Sequence, residues 1–184
     1  PTYLIQATIA IEDQNFYKHP GVDPVALIRA IYYNLSNNSV QGGSTITQQL
    51  IKNTILTSEQ TYTRKIKEMF LAFWAERIYT KEEILQMYLN ESPYGGPAWG
   101  IEAASLTYFG KSAKNLNLAE SAFLAGLPAS PTEFSPYGLS PQKAFERQKK
   151  VLARMVEDGY ITYQQAEDAQ NQQLNIRQNE QEIY

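Results

Sequence analysis

Signals for helix starts recur along this 184-residue chain, whereas the alternating patterns of strands are scarce. Asp23 directly before Pro24 is typical of an N-cap followed by proline at the first helical position, and it predicts a helix through about Ser36. Three further starts have the spacing of a capping box: Thr45 with Gln48, Thr80 with Glu83, and Thr162 with Gln165. The chain is therefore expected to fold into a mainly α-helical domain.

Apolar residues also repeat at helical spacing in two segments. They are Ile66, Met69, Phe70, Phe73 and Trp74 in the first, and Phe145, Val151, Leu152, Met155 and Val156 in the second. Both segments are expected to bury an apolar stripe. In the first, a helix from about Tyr62 to Ile78, the helical turn places Arg64 and Glu68 together on the opposite, polar face. On an isolated helix such a pair is a surface ion pair worth about 0.3–0.5 kcal/mol.

Length and composition favour one globular domain. Hydrophobic residues make up 43% and charged residues 19%, which is ordinary usage for a globular protein. The absence of cysteine excludes disulfides and thiolate metal sites. The longest apolar run, Met69 to Ala75, is far shorter than the roughly 20 residues of a membrane-spanning helix, so any membrane anchor is expected outside this chain. A start at Pro1, without an initiator methionine, is typical of a segment of a longer protein.

Charge is distributed unevenly along the sequence. The net charge is −3, yet residues 51–81 contain six basic and three acidic residues, while residues 157–184 contain six acidic residues and one basic residue. A basic middle segment in an acidic chain indicates a site for a small anionic ligand rather than a nucleic-acid-binding surface. A solvated helix face explains the same charge pattern equally well.

A carboxylate at the edge of a hydrophobic core is a candidate general base. Glu12 and Asp13 follow the apolar run Ala7–Ile11, and apolar surroundings raise the pKa of a carboxyl group toward the value that a general base needs. Taken alone, Glu12 is equally typical of the first acid in a helix or turn.

The helix predicted from Thr45 presents a second polar stripe, formed by Gln48, Gln49 and Lys52, beside the Gly42-Gly43 loop. Backbone N–H groups at such a helix start are able to hold a phosphate.

Five segments together resemble the signatures of the peptidoglycan glycosyltransferases, the domain of class A penicillin-binding proteins and monofunctional transglycosylases. They are Glu12 to Gly21, Gly43 to Gln49, Arg64 to Glu68, Lys81 to Leu85 with Tyr88 to Asn90, and Leu118 to Ala122 with Leu124 to Pro128. Five signatures in the family's order and spacing, between Ala7 and about Ile161, are far more specific than any single motif.

The resemblance implies a single glycosyltransferase domain over residues 1–184, in which residues 162–184 form a C-terminal helix and a connector. It implies a mainly α fold with a lysozyme-like large lobe and a smaller, membrane-proximal jaw lobe. The reaction implied is polymerisation of lipid II into β-1,4-linked glycan strands, with inversion at the donor anomeric carbon and release of polyprenyl diphosphate. Glu12 would then deprotonate the acceptor 4-hydroxyl group.

The resemblance also implies the other site residues. Glu68 would be the second important carboxylate, which either orients the donor or helps to hold a divalent cation, Mg²⁺ or Mn²⁺, near the diphosphate. No organic cofactor is expected. The remaining substrate-binding candidates are Asp13, Ser44, Gln48, Gln49, Lys52, Arg64, Lys65 and Arg147; of these, Lys52, Arg64 and Lys65 would contact the diphosphate, and Ser44, Gln48 and Gln49 the donor sugars.

The implied partners are lipid II, the growing glycan chain, the membrane surface and a C-terminal transpeptidase domain in the full-length protein, with no nucleic acid. The implied location is the extracytoplasmic face of the bacterial cytoplasmic membrane. The likeliest surface for membrane contact lies between Val22 and Leu56, where Ile28, Ile31, Tyr32, Tyr33, Ile55 and Leu56 supply apolar side chains. Two alternatives stay open: a lysozyme-like hydrolase or lytic enzyme, and a binding domain that keeps the motifs without activity.

Overall fold

The chain is mainly α-helical in the computed structural model, as the sequence predicts. The structure describes residues 1–37, 42–56 and 61–177, without the side chains of residues 31 and 33–37. The helices are α1 (Thr2–Glu12), α2 (Pro24–Asn37), α3 (Ile46–Thr54), α4 (Tyr62–Ile78), α5 (Lys81–Glu91), α6 (Ile101–Phe109), α7 (Leu118–Gly126), α8 (Gln142–Glu157) and α9 (Tyr163–Asn171). Within these ranges there is no β-strand, only an isolated bridge between Pro93 and Trp99 in the loop that the glycines and prolines predict.

Contacts divide the chain into two compact units. One unit comprises Pro1–Ile11 and the chain from Ser92 onward, and the other, the Glu12–Glu91 unit, contains the first four signatures. The description of these units as a lysozyme-like lobe and a jaw stays a prediction, as does the extent of the domain. None of the helices in the described part of the chain has the length and hydrophobicity of a transmembrane span.

The unit that contains α1 and α6 to α9 is built around small side chains. Its core consists of Ala7, Ala10, Ala119, Ala122, Ala125, Val151, Leu152, Met155, Ile161, Ala166 and Ala169. Because alanine lets helix backbones approach closely, α7 is buried on all sides and contacts both α8 and α9. The stripe predicted for α8 is confirmed at Val151, Leu152 and Met155, which are fully buried, whereas Phe145 is 38% exposed. Gly159, with φ at +72°, follows the end of this helix.

The Glu12–Glu91 unit packs α3 against both α4 and α5. At the start of α2, burial raises the pKa of Asp23, but hydrogen bonds from the Ala26 and Val25 backbone and the Asn15 side chain outweigh burial and lower this pKa overall. The backbone bonds make Asp23 the N-terminal cap that the sequence predicts.

The three predicted capping boxes are all present. Thr45 with Gln48 and Thr162 with Gln165 exchange both hydrogen bonds, and Thr80 does so with Glu83. A further box, Asn117 with Glu120, begins α7.

Helix α4 has the predicted bounds but the opposite orientation. Its buried residues are Glu68 and Ala72, whereas Ile66 and Phe70 are 67% and 62% exposed. The expectation that this helix buries its apolar stripe is therefore wrong. The polar face turns inward because Glu68 meets cationic partners there. The backbone of Gly21 also packs closely on this helix, since a Cβ atom at Gly21 would lie 2.5 Å from the Ala72 carbonyl oxygen.

Candidate active site

Glu12 is the last residue of α1 and the first residue of the Glu12–Glu91 unit. Its Oε2 atom accepts a hydrogen bond of 2.7 Å from Nε2 of Gln49, in the first turn of α3. The Tyr88 hydroxyl group of α5 donates to Oε1 of Gln49 over 3.4 Å. The candidate base is thus half-buried and connected to two further helices of its own unit.

Asp13 is an anchor for the start of α3. Its side chain is buried, its Oδ2 atom accepts the Ile46 backbone N–H at 3.0 Å, and its Oδ1 atom lies 2.8 Å from His19 Nε2. The Gly21 backbone N–H donates to His19 Nδ1 at 3.2 Å, so Nε2 carries the proton that His19 donates to Asp13. Every contact described for Asp13 stabilises the loop and the helix start, and its assignment to substrate binding stays a prediction.

Gln48 is likewise a capping residue. It is 2% exposed, and its Oε1 atom accepts the Thr45 backbone N–H at 3.0 Å. The side chain of Gln48 closes a capping box inside the core, and its contact with a donor sugar stays a prediction. The adjacent Gln49 has the different role described above.

A cationic cluster surrounds Glu68 on the inner face of α4. Arg64 NH1 lies 3.3 Å from Glu68 Oε2, and the Lys65 ammonium group pairs with the other oxygen, Oε1. Lys65 also donates to the Ser44 hydroxyl oxygen at 2.7 Å. Glu68 is only 2% exposed, whereas the Lys65 side chain is 32% exposed, so the carboxylate is the buried partner of this pair.

The segment Ser44–Gln49 connects this cluster to the candidate base. Ser44 contacts Lys65, and five residues later Gln49 contacts Glu12. A base and a set of cations are therefore attached to one helix start, which the Thr45 capping box and the Asp13 contact hold in place. Such an arrangement suits a reaction in which a hydroxyl group is deprotonated and an anionic group departs.

Two of the substrate-binding candidates have few described contacts. Lys52 is exposed on α3, and within the described residues its ammonium group forms no ion pair. Arg147 belongs to the other unit, where its guanidinium group lies 5.6 Å from the centre of the Phe134 ring. Substrate binding by Lys52 and Arg147 stays a prediction.

Sequence reasoning missed several supporting residues. Lys81 pairs with Glu76 and donates to the His19 carbonyl oxygen at 2.7 Å, and Thr47 donates to Glu76 at 2.6 Å. Tyr88 contacts Gln49, a link that its motif does not indicate. The positions of Thr47, Lys81 and Tyr88 in the signature segments are the only available signal, because their hydrogen-bond partners lie between 29 and 62 residues away in the sequence.

Comparisons with known proteins agree with the motifs. The transglycosylase family model matches residues 1–156. Penicillin-binding protein 1A of Aquifex aeolicus (strain VF5) is 48% identical over 178 residues, which are 96% of this chain and 24% of that protein. Penicillin-binding protein 1A of Escherichia coli (strain K12) is 46% identical over 184 residues, 100% of this chain and 22% of that protein.

A solved structure shares the fold. The crystal structure of penicillin-binding protein 1A from Haemophilus influenzae aligns with a TM-score of 0.50 and 29% identity, over 73% of this chain and 17% of that chain. The chain thus spans about a quarter of the length of the curated relatives that it matches. The match to the family model over most of the chain, with the signature residues in place, shows that this chain belongs to the transglycosylase family, the peptidoglycan glycosyltransferases of cell-wall synthesis.

Proposed function

We propose that this chain polymerises lipid II into β-1,4-linked glycan, with inversion at the donor anomeric carbon and release of polyprenyl diphosphate. The observation that carries the proposal is the attachment of Glu12, through Gln49, and of the Lys65–Glu68 cluster, through Ser44, to the start of α3. Glu12 takes the proton of the acceptor 4-hydroxyl group as its oxygen attacks the donor anomeric carbon. The bond from that carbon to the diphosphate oxygen breaks, and the diphosphate keeps the electron pair.

The cations have a definite task in this reaction. A departing diphosphate carries its negative charge away from the sugar, and fixed positive groups near it stabilise the transition state. Arg64 and Lys65 are held by the buried Glu68, so they need little reorganisation when the charge develops. Such a leaving group needs no acid to protonate it.

The Glu68 contacts also argue against a glycan hydrolase. An inverting or retaining glycosidase needs two carboxyl groups at the cleaved bond, one of which acts as the acid. Both oxygens of Glu68 accept hydrogen bonds from the cations Arg64 and Lys65 and are therefore occupied by side chains of the same helix. The other acid of the first signature, Asp13, is occupied by His19 and the Ile46 backbone.

Incubating the chain with lipid II and, separately, with purified glycan strands tests the proposal. Polymer formation from lipid II with intact glycan strands is the expected result. Cleavage of the strands without polymer formation would support a hydrolase, and inactivity toward both would support a binding domain.

The proposal extends to the setting of the whole protein. The relatives carry the name penicillin-binding protein and are about four times longer than this chain. A C-terminal transpeptidase domain and a location at the extracytoplasmic face of the cytoplasmic membrane fit a lipid-linked substrate of cell-wall synthesis.

The Glu12–Glu91 unit has apolar side chains on its surface that suit contact with a membrane. On α4 they recur every fourth residue, at Tyr62, Ile66, Phe70, Trp74 and Ile78. In the segment that the sequence predicted, Val25, Ile28, Tyr32 and Ile55 are also exposed, while the side chains of Ile31 and Tyr33 lie outside the described residues. Exposed apolar stripes of this size are typical of interaction surfaces, and a substrate with a polyprenyl tail makes lipid the partner that fits.

The double variant Phe70→Ser with Trp74→Ser is expected to weaken binding to vesicles of phosphatidylethanolamine and phosphatidylglycerol at least tenfold. Burial of one large apolar side chain is worth about 1.5–3 kcal/mol, and these two rings lie side by side on α4. Vesicle co-sedimentation measures the effect. The matched control is Leu139→Ser with Tyr163→Ser, two exposed residues of the other unit; an equal loss in both double variants would contradict a membrane surface on α4.

A divalent cation at Glu68 stays a prediction. The described residues contain no group of three His, Asp or Glu side chains that would hold a metal by itself, and Arg64 and Lys65 occupy both oxygens of Glu68. A metal ligated by Glu68 would have to displace one of these cations. No step described above depends on a metal.

We expect Glu68→Gln to lower the polymerisation rate by about 10- to 100-fold, because the variant weakens one or two hydrogen bonds to charged groups. The response of the rate to Mg²⁺ or Mn²⁺ should remain as in the wild type. The measurement is the initial rate against metal concentration for both proteins. A variant that loses the metal dependence along with its rate would instead identify Glu68 as a metal ligand.

A further inference from the structure

The Gln49 carboxamide lies between the candidate base and a buried tyrosine. Its Nε2 atom donates to Glu12 Oε2 at 2.7 Å, and its Oε1 atom accepts from the Tyr88 hydroxyl group at 3.4 Å. We propose that Gln49 is a positioning residue that holds the Glu12 carboxylate, and that Tyr88 acts through Gln49 by fixing the direction of its carboxamide. This inference rests on the proposed function and replaces the expected contact of Gln49 with a donor sugar.

The two contacts of Gln49 agree on one orientation of the amide. An ionised carboxylate only accepts hydrogen bonds, so the atom of Gln49 that faces Glu12 has to be the nitrogen. With Nε2 placed there, the oxygen faces Tyr88, where a phenol is able to donate. Reversal of the amide would bring its oxygen against the Glu12 carboxylate, where two acceptors would face each other.

Burial makes this arrangement rigid. Tyr88 is 1% exposed on α5, and α5 packs against α3, so the hydroxyl group has a fixed position relative to Gln49. The contact of 3.4 Å is long for a hydrogen bond, whereas the contact of 2.7 Å with the charged Glu12 is short. The bond from Gln49 to Glu12 is therefore the stronger of the two. Loss of the Tyr88 hydroxyl group should accordingly disturb the position of Glu12 less than loss of the Gln49 amide.

Placement of the carboxylate governs the rate of the chemical step more than the binding of substrate. Deprotonation of the acceptor hydroxyl group requires the base within hydrogen-bond distance of the proton, and a misplacement of about 1 Å costs roughly 100-fold in rate. A residue that acts on Glu12 should therefore change kcat. A residue that contacts the donor sugar in the ground state should change KM.

A double-mutant cycle in the full chain separates these roles. Gln49→Leu removes the amide with similar volume, Tyr88→Phe removes only the hydroxyl group, and the third protein combines both changes. We expect Gln49→Leu to lower kcat for lipid II by about 10- to 100-fold with KM within about twofold, and Tyr88→Phe to lower kcat by about 3- to 10-fold. In the Gln49→Leu background, Tyr88→Phe should cost nothing further, because its target is absent.

The controls distinguish this inference from the function on which it rests. Gln86→Leu, at an exposed position of α5, should keep both constants. Absence of polymerisation by the wild type would overturn the proposed function itself. Suppose that the wild type is active and Glu12→Gln is inactive. The positioning role alone would then be overturned if Gln49→Leu raised KM at unchanged kcat. A fully additive loss of kcat in the double variant would overturn it as well. If Tyr88→Phe lowers the thermal midpoint of unfolding, the changes in kcat and KM of Gln49→Leu decide whether Gln49 positions Glu12.

Discussion

Replacement of Glu12 by glutamine is expected to lower the initial rate of lipid II polymerisation by about 100- to 10,000-fold, the usual contribution of a general base. Glutamine keeps the size of the side chain, and its carbonyl oxygen is still able to accept the hydrogen bond from Gln49. What it loses is the capacity to take a proton from the acceptor hydroxyl group. Binding of lipid II should therefore persist while turnover collapses.

A matched control for this variant is Glu91→Gln, because Glu91 is an exposed acid in the same unit. Its rate should equal that of the wild type. His19 is no substitute base in this structure, since it is buried and hydrogen-bonded at both ring nitrogens. Near-normal polymerisation by Glu12→Gln would refute the assignment of the base and require a search among other carboxylates.

Charge reversal at Arg64 is expected to abolish donor binding. Arg64→Glu places a carboxylate beside the buried Glu68 and turns the cation that we propose for the diphosphate into an anion. Close like charges in a partly buried site cost several kcal/mol, which corresponds to a loss of at least 100-fold in affinity. Binding of lipid II is best measured in the Glu12→Gln background, where the donor is not consumed. Lys52→Glu should weaken binding less, because Lys52 is exposed on α3.

The control for Arg64→Glu is Arg154→Glu. Arg154 also forms an ion pair on a helix, with Glu157, but both side chains are about half exposed and belong to the other unit. Reversal there should leave lipid II binding unchanged. If Arg64→Glu behaved in the same way, the pair with Glu68 would serve the fold alone, and the diphosphate site would have to lie elsewhere.

Local signals in the sequence predicted the starts of α2, α3, α5 and α9 and the bounds of α4, but not α1, α6 or α7. The capping boxes at Thr45, Thr80 and Thr162 are all formed, because a capping box depends on residues three positions apart and on nothing distant. The bounds of α4, Tyr62–Ile78, also agree with the apolar periodicity. The order of the five signatures predicted the family, which the comparisons confirm.

The roles of neighbouring residues in one motif were beyond local signals. Gln48 and Gln49 have the same side chain and stand next to each other, yet one caps a helix in the core and the other contacts Glu12. Asp13 follows Glu12 directly, yet it holds His19 and the Ile46 backbone. The partner of Gln48, Thr45, is local and was predicted, whereas Gln49 and Asp13 contact residues 37 and 33 positions away, which no local pattern contains.

Helix α4 shows most clearly what the sequence by itself determined and what only the tertiary structure decided. The spacing of its residues determined that an apolar stripe and a polar face lie on opposite sides. The structure decided that the polar face is the buried one: Glu68 is enclosed by Arg64, Lys65 and the Ser44 contact, while Ile66 and Phe70 face outward. The physical reason is that periodicity defines two faces of a helix but does not determine which face is buried. Burial of the polar face depends on cations that compensate the buried carboxylate, and on what covers the apolar face.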